Sequence, residues 1–122
     1  MSMISSTPAS HPIYAEATDT NQDAISSIVL LGKLLSDETR VRILTMLVEH
    51  GELCVRELWE RLSQTQPGVS HHLALLRDGG LVTSHQVGRN IYYRIRNDGV
   101  IRLLAEVRRT PIGQHVEAML TP

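Results

Sequence analysis

A mainly α fold with one small β-hairpin (α+β) is what this 122-residue sequence predicts, on three observations. Apolar residues recur at helical spacing in five separate segments. Two of those segments, around Leu58 and Leu73, are joined by only a short run of turn formers, Ser63-Gln64-Thr65-Gln66-Pro67-Gly68. Beyond them, two runs rich in Val, Ile, Tyr and Thr flank Gly88-Arg89-Asn90, the composition of a hairpin.

Residues 1–22 are rich in Ser, Thr, Pro, Ala, Asp and Asn without any period, and are expected to be a disordered arm. From about Asp23, Ile25, Ile28, Val29, Leu30, Leu31, Leu34 and Leu35 surround most of a first helix, which therefore demands burial on more than one side. Ser36 reads as the N-cap of a second helix, with Asp37 and Glu38 in the first turn, where the helix dipole favours acids. Val41, Leu44, Leu47 and Val48 share one face of it, with Ile43 beside them, and Gly51 is its natural stop. A short extended piece over residues 52–54 leads into a third helix over residues 55–62. Thr65 caps a fourth helix, and Pro67 fits its first turn because the missing N–H has no intrahelical partner there. Val69, Leu73 and Leu76, at i, i+4 and i+7, form its inner face, and Gly79-Gly80 end it. Strands over residues 81–87 and 91–96 then pair across a three-residue tip, Gly88-Arg89-Asn90. Asn97 or Asp98 caps a fifth helix with a wide apolar stripe, which Pro111 and Gly113 end before a tail. The folded domain is thus expected over residues 23–110, after the arm (1–22) and before a C-terminal tail (111–122).

At 42% hydrophobic and 20% charged, the composition is that of one soluble domain. Its longest apolar run, Ile28 to Leu31, falls far short of the roughly 20 residues that cross a bilayer. No basic residue precedes Lys33 and no apolar signal region is present, so a cytoplasmic location without membrane association is expected. Cys54 is the single cysteine and has no partner for an internal disulfide. The net charge of −1 hides an asymmetry. Residues 1–24 carry only acids (Glu16, Asp19, Asp23), whereas residues 61–96 carry Arg61, Arg77, Arg89, Arg94 and Arg96 against Asp78. An anionic partner would dock on the basic stretch. Paired carboxylates, a nucleophile motif and a Gly-rich phosphate loop are all missing, so no enzyme is expected.

Helix, helix, short strand, helix, turn, helix, hairpin, helix is the order of a winged helix-turn-helix. The segments LSDETRVRILTMLVEHGELCVREL (35–58), SQTQPGVSHHLALLRDGGLV (63–82) and VGRNIYYRI (87–95) resemble the ArsR/SmtB family of bacterial dimeric repressors, in the right order and at the right separations. The resemblance spans about residues 24–110 and implies a homodimer that binds double-stranded DNA as a transcriptional repressor. It also implies that the first and last helices form the dimer interface. Ile25, Ile28 and Leu31 with Val100, Ile101, Leu103, Leu104 and Val107 fit that role, ordinary packing within the domain being the alternative. A two-fold dimer reads half-sites about 34–36 Å apart, so the operator is expected to be an imperfect inverted repeat.

The residues support a reading helix independently. On a helical wheel centred on Val69, Pro67, Gly68, His71, Ala74 and Leu75 point away from the core, with Gln66, Ser70 and Arg77 on one shoulder. Small or hydrogen-bonding side chains at the exposed N-terminal turns suit a major groove, where Gln pairs with adenine and Ser serves either base. Thr65 and the free N–H groups at the helix start suit a phosphate. Arg89, on the slender hairpin tip, suits a minor groove whose negative potential attracts it. The candidate DNA-binding set is therefore Thr65, Gln66, Gly68, Ser70, His71, Arg77 and Arg89, with plain solvent exposure as the alternative for Gln66, Ser70, His71 and Arg89. His72, at the edge of the inner face, reads as a packed or hydrogen-bonded histidine. Arg94 and Arg96 lie on the strand face opposite Tyr93 and Ile95, where they either meet phosphate or keep the sheet soluble.

Repressors of this family leave DNA when an inducer binds, commonly a metal ion, arsenite or a reactive sulfur species. The arsenic-type site resembles ELCVCDL, and Arg56 occupies its second thiol position here, so soft trithiolate binding is not expected. A second family site uses the first Cys, an acid three residues on and the partner's N-terminal arm; here these are Cys54, Glu57 and His11. Zn(II) or another divalent metal accepts that donor set, which lacks a fourth ligand. Cys54 as a core residue or as a single-thiol redox sensor is the alternative. The family's zinc site on the fifth helices finds Asp98 but meets Val100, Pro111 and Gln114 where its other ligands belong, and His115 with Glu117 form only a loose pair on the tail. No cofactor is assigned. The rival to DNA binding is a winged helix used as a protein-interaction module, which has no need of Arg61, Arg77, Arg89 and Arg94 in one segment; salt dependence separates the two.

Overall fold

The computed structural model describes residues 12–96, 98–110 and Met119, with side chains from residue 21 onward. Its elements are α1 (Pro12–Leu34), α2 (Glu38–His50), β1 (Leu53–Cys54), α3 (Val55–Leu62), α4 (Gln66–Asp78), β2 (Val82–Val87), β3 (Asn90–Ile95) and α5 (Asp98–Arg109). This is the expected mainly α fold with a small hairpin, in winged helix-turn-helix order. Among the described residues no helix is long and apolar enough to cross a membrane. The chain divides at Lys33 into two units, residues 1–33 and residues 34–122.

In the first unit, α1 begins at Pro12 and not near Asp23. Over residues 12–22 the expected disordered arm is therefore helical, while residues 1–11 lie outside the described residues. Proline fits a first helical position, and Ala15, Glu16, Ala17, Gln22 and Ala24 are strong helix formers. Propensity, which leaves no apolar period to read, carries this stretch. The burial that the apolar residues of α1 demand is not met within one chain: Ile25 is 54% exposed, Ile28 67%, Val29 52% and Leu30 50%.

In the second unit, α2 starts one residue later than its sequence suggests. Asp37, and not Ser36, is the N-cap, with extended backbone and a carboxylate that accepts the Arg40 N–H at 3.0 Å. Both residues are good caps, and the one in extended conformation three residues before the reachable N–H takes the position. The Gly51 N–H closes the helix on the Leu47 carbonyl at 2.8 Å. The piece over residues 52–54 contributes a third strand: β1 pairs with β3 (Leu53 opposite Tyr93, Cys54 opposite Tyr92), giving the antiparallel order β1-β3-β2. The hairpin register pairs Val87 with Asn90, so the tip is the two-residue Gly88-Arg89 rather than a three-residue loop. Gly88 alone supplies the positive φ there (62°), and Asn90 joins the ladder.

Ile43, Leu44 and Leu47 of α2, Leu58 of α3, Val69, Leu73 and Leu76 of α4 and Val82 of β2 are each no more than 1% exposed. Burying an aliphatic side chain of this size contributes roughly 1.5–3 kcal/mol, so this core fixes the rotation of α4. Leu34, Leu53, Cys54, Leu81, Tyr93 of β3 and Val100 of α5 are buried around it. Where α4 ends, a Cβ on Gly79 would lie 2.3 Å from Leu34 Cδ1, so a glycine is what permits that approach. The region after residue 110, apart from Met119, lies outside the described residues, and with it the predicted tail and its His115 and Glu117.

Candidate nucleic-acid interface

The turn before α4 is built without glycine. Ser63 takes a left-handed conformation (φ 54°, ψ 41°) at the end of α3, where its N–H and that of Gln64 bond the carbonyls of Glu60 and Trp59 at 3.2 and 3.1 Å. Gln64 Nε2 also donates to Thr39 Oγ1 at 3.0 Å, tying the turn to α2. Thr65 then caps α4, its hydroxyl accepting the Gly68 N–H at 3.3 Å. Pro67 has no N–H, and the Val69 N–H goes to the Thr65 carbonyl, so an anion at this helix start would meet little beyond the Gln66 N–H.

Because Val69, Leu73 and Leu76 are wholly buried, the residues about 100° away on either side turn outward. Gln66, Ser70, His71 and Arg77 are exposed, as is Thr65, and Gly68 is half-buried. His72 holds α4 against the start of α2: Arg40 Nη1 lies 3.3 Å from His72 Nδ1, and Arg40 Nε donates to the Leu34 carbonyl at 2.7 Å. A guanidinium only donates, so Nδ1 is the acceptor and the ring proton sits on Nε2. The Arg40 N–H bond, aided by the nearby Arg40 guanidinium, holds the Asp37 carboxyl below its ordinary range.

On the wing, Arg89 is exposed at the tip, which Gln86 braces by donating from Nε2 to the Gly88 carbonyl at 3.1 Å. Arg94 and Arg96 are exposed too. The structure brings Gln66 and Ser70 of α4 together with Arg89 and Asn90 of the wing along one cleft of about 260 Å³. The other wall of this cleft carries Arg56 and Trp59 of α3. Thr65, Gly68, His71 and Arg77 are not among its lining residues; Arg77 lies on the last turn of α4, with its Nε 3.9 Å from Asp78 Oδ1. Arg56, Trp59 and Asn90 are residues that reading the sequence misses. The signal for them is the pairing of β1 with β3, which sets the start of α3 beside the wing and is not visible in a two-residue strand.

Of the donor set proposed for a metal, the structure brings Cys54 and Glu57 together at the start of α3. Cys54 is a free thiol, 8% exposed, and its backbone N–H donates to Glu57 Oε1 at 3.0 Å. That bond, and then the Cys54 thiol, hold the Glu57 carboxyl below its ordinary range, so the acid works as a helix cap. His11 lies outside the described residues. Among the described residues no group of three or more His, Cys, Asp or Glu is placed to hold a metal ion, and two donors do not make a zinc site. Of the residues assigned to a dimer interface, Ile25, Ile28 and Val107 are at least half exposed. Leu31, Ile101, Leu103 and Leu104 are partly covered, while Val100, at 6%, belongs to the core of the second unit.

A family model described as "Bacterial regulatory protein, arsR family" matches residues 37–84, which run from the cap of α2 into β2. The arsenical resistance operon repressor of Escherichia coli (strain K12) is 48% identical over 67 residues, 55% of this chain and 57% of that protein. Over this relative and two arsenic resistance regulators of Pseudomonas putida, the chain spans only 49% to 57% of each length. The structure of HlyU from Vibrio cholerae N16961 superposes with a TM-score of 0.66 at 34% identity, covering 70% of this chain and 92% of that one. The solution structure of a homodimeric winged helix-turn-helix DNA-binding domain, Mb0332 from Mycobacterium bovis, reaches a TM-score of 0.72 at 29% identity, covering 85% and 94%. These relatives are transcriptional regulators and not enzymes. With the helix-turn-helix matched by the family model and HlyU covered over nine-tenths of its length, the chain belongs to the ArsR family of bacterial regulatory proteins.

Proposed function

We propose that the protein is a homodimeric, sequence-specific DNA-binding repressor of transcription that reads an imperfect inverted repeat. The observation that carries this reading is the placement of Gln66 and Ser70 on the outward side of an α4 whose inner face is locked, in one cleft with the wing arginine Arg89. In this reading α4 enters the major groove with Gln66, Ser70 and His71 toward base edges, and Thr65 and Gly68 stand at the backbone. Arg77 and Arg89 take phosphates or the minor groove. The exposed apolar residues of α1, Ile25 and Ile28 above all, with Leu31, make the dimer together with Ile101, Leu103, Leu104 and Val107 of α5. The homodimeric Mb0332 domain supports that assembly. Release by an inducer is part of the proposal only as a general property; the arsenic-type thiol pair is missing at Arg56, so arsenite is not the inducer assigned.

The test is the salt dependence of binding to duplex DNA. If about six arginines per dimer meet phosphates, log K falls with log salt at a slope near −5, and affinity drops roughly a thousandfold between 50 and 200 mM. A protein-interaction module without DNA readout gives no saturable binding to duplex at any of these concentrations, and that result would overturn the proposal.

A further inference from the structure

The cleft between α4 and the wing takes its polar lining and its one tryptophan from three elements: Arg56 and Trp59 of α3, Gln66 and Ser70 of α4, and Arg89 and Asn90 of the wing. No acid lines it. Its lining thus includes two guanidinium side chains, two amides, a hydroxyl and an indole, a donor-rich set that suits an anion with several acceptor oxygens. At about 260 Å³ the cleft is smaller than the roughly 300–1,000 Å³ of pockets that enclose drug-sized ligands. Its occupant is therefore a small charged group, and a group carried on a polymer fits better than an enclosed free ligand.

We propose that this cleft is a phosphate seat, in which Arg56 and Arg89 grip one backbone phosphodiester of bound DNA between the reading helix and the wing, making α3 a third element of the interface. The inference rests on the DNA-binding reading above and adds to it Arg56, at the start of the first helix of the helix-turn-helix. Arg56 is available for this role. Its one ion pair among the described residues is a loose helical contact to Glu60, Nε to Oε2 at 3.5 Å, with side chains 75% and 51% exposed. Such exposed pairs hold weakly, whereas a phosphate takes a guanidinium through two parallel hydrogen bonds. Arg89 makes no ion pair among the described residues. Cys54 and Tyr93, which also line the cleft, are buried at 8% and 6% exposure and tie its floor to the core.

Trp59 is the only tryptophan of the chain, so its intrinsic fluorescence reports on this cleft directly. The full chain is titrated with duplex DNA while Trp59 emission and the anisotropy of labelled duplex are followed together, for the wild type, Arg56→Gln and Arg108→Gln. The last is a matched charge loss on α5. The expected result is a saturable change in Trp59 emission that tracks the anisotropy. Arg56→Gln then loses about tenfold in affinity, and its salt slope shrinks by about 2, one phosphate per subunit, while Arg108→Gln keeps the wild-type slope. Wild-type binding with unchanged Trp59 emission, together with an Arg56→Gln variant that binds like wild type, would overturn the seat while leaving the DNA-binding reading intact. A saturable emission change with inorganic phosphate alone, at matched ionic strength, would reassign the cleft to a free anion. No binding to duplex by any of the three would remove the reading and the seat together.

Discussion

α4 and α1 are both rich in large aliphatic residues, yet they meet water differently. Val69, Leu73 and Leu76 of α4 are wholly buried, while Ile25, Ile28, Val29 and Leu30 of α1 are each half exposed or more. The first set is satisfied inside one chain, since α2, α3, α4 and β2 supply each other's cover. The second is left facing solvent as an exposed apolar patch of the kind that marks an interaction surface. The contrast separates folding from assembly: α4 is placed by the monomer's own core, and α1 carries the surface that a second copy covers in the proposed dimer.

Substitutions break this contrast one side at a time. Leu73→Ala empties a site with no exposure and is expected to cost about 2–5 kcal/mol, read as a lower urea midpoint by far-ultraviolet circular dichroism. Ile28→Asp leaves that core untouched and is expected to weaken self-association by about 1.5–3 kcal/mol per chain, seen as a shift from dimer to monomer in sedimentation velocity. A dimer unmoved by Ile28→Asp would remove α1 from the interface and end the comparison. Thr65→Ala sharpens it, because it acts on the start of α4 without entering the core; the lost cap bond to Gly68 predicts about 1 kcal/mol in the same urea measurement.

The smallest effect is acid-side. Asp37 and Glu57 both have lowered pKa values in the folded chain, so their contribution is present above their ordinary values of 3.8 and 4.5 and is lost as the pH falls through the lowered ones. Stability should therefore be flat near neutrality and decline below about pH 4.5, the ordinary glutamate value. Glu57→Gln, which keeps an oxygen for the Cys54 N–H but cannot titrate, is expected to flatten that decline. An acid limb as steep as wild type in Glu57→Gln would show that the cap bond does not set it.

Much of this was legible before the coordinates, and the exceptions share a cause. Helix α3, the inner face of α4, the Thr65 cap and the exposure of Gln66, Ser70 and Arg89 follow from period and capping chemistry, which are local. What escaped was either non-periodic or non-local. The start of α1 at Pro12 rests on propensity in a stretch without apolar spacing. The left-handed residue in the helix-turn-helix is Ser63, where the sequence shows no glycine to announce it. The shorter wing tip depends on Asn90 pairing with Val87, and the part of Arg56 and Trp59 in the cleft depends on β1 joining β3; both are contacts between strands that spacing along one strand does not reveal.

The central claim is that α4 reads bases while the wing holds the backbone. Fluorescence anisotropy of Gln66→Ala, Ser70→Ala and Arg89→Ala is to be measured on a duplex that the wild type selects from a randomised pool and on a scrambled duplex of equal length. The account predicts that the two α4 variants lose about 1–3 kcal/mol on the selected duplex and little on the scrambled one, whereas Arg89→Ala weakens both alike. Equal losses on both duplexes for all three variants would contradict it.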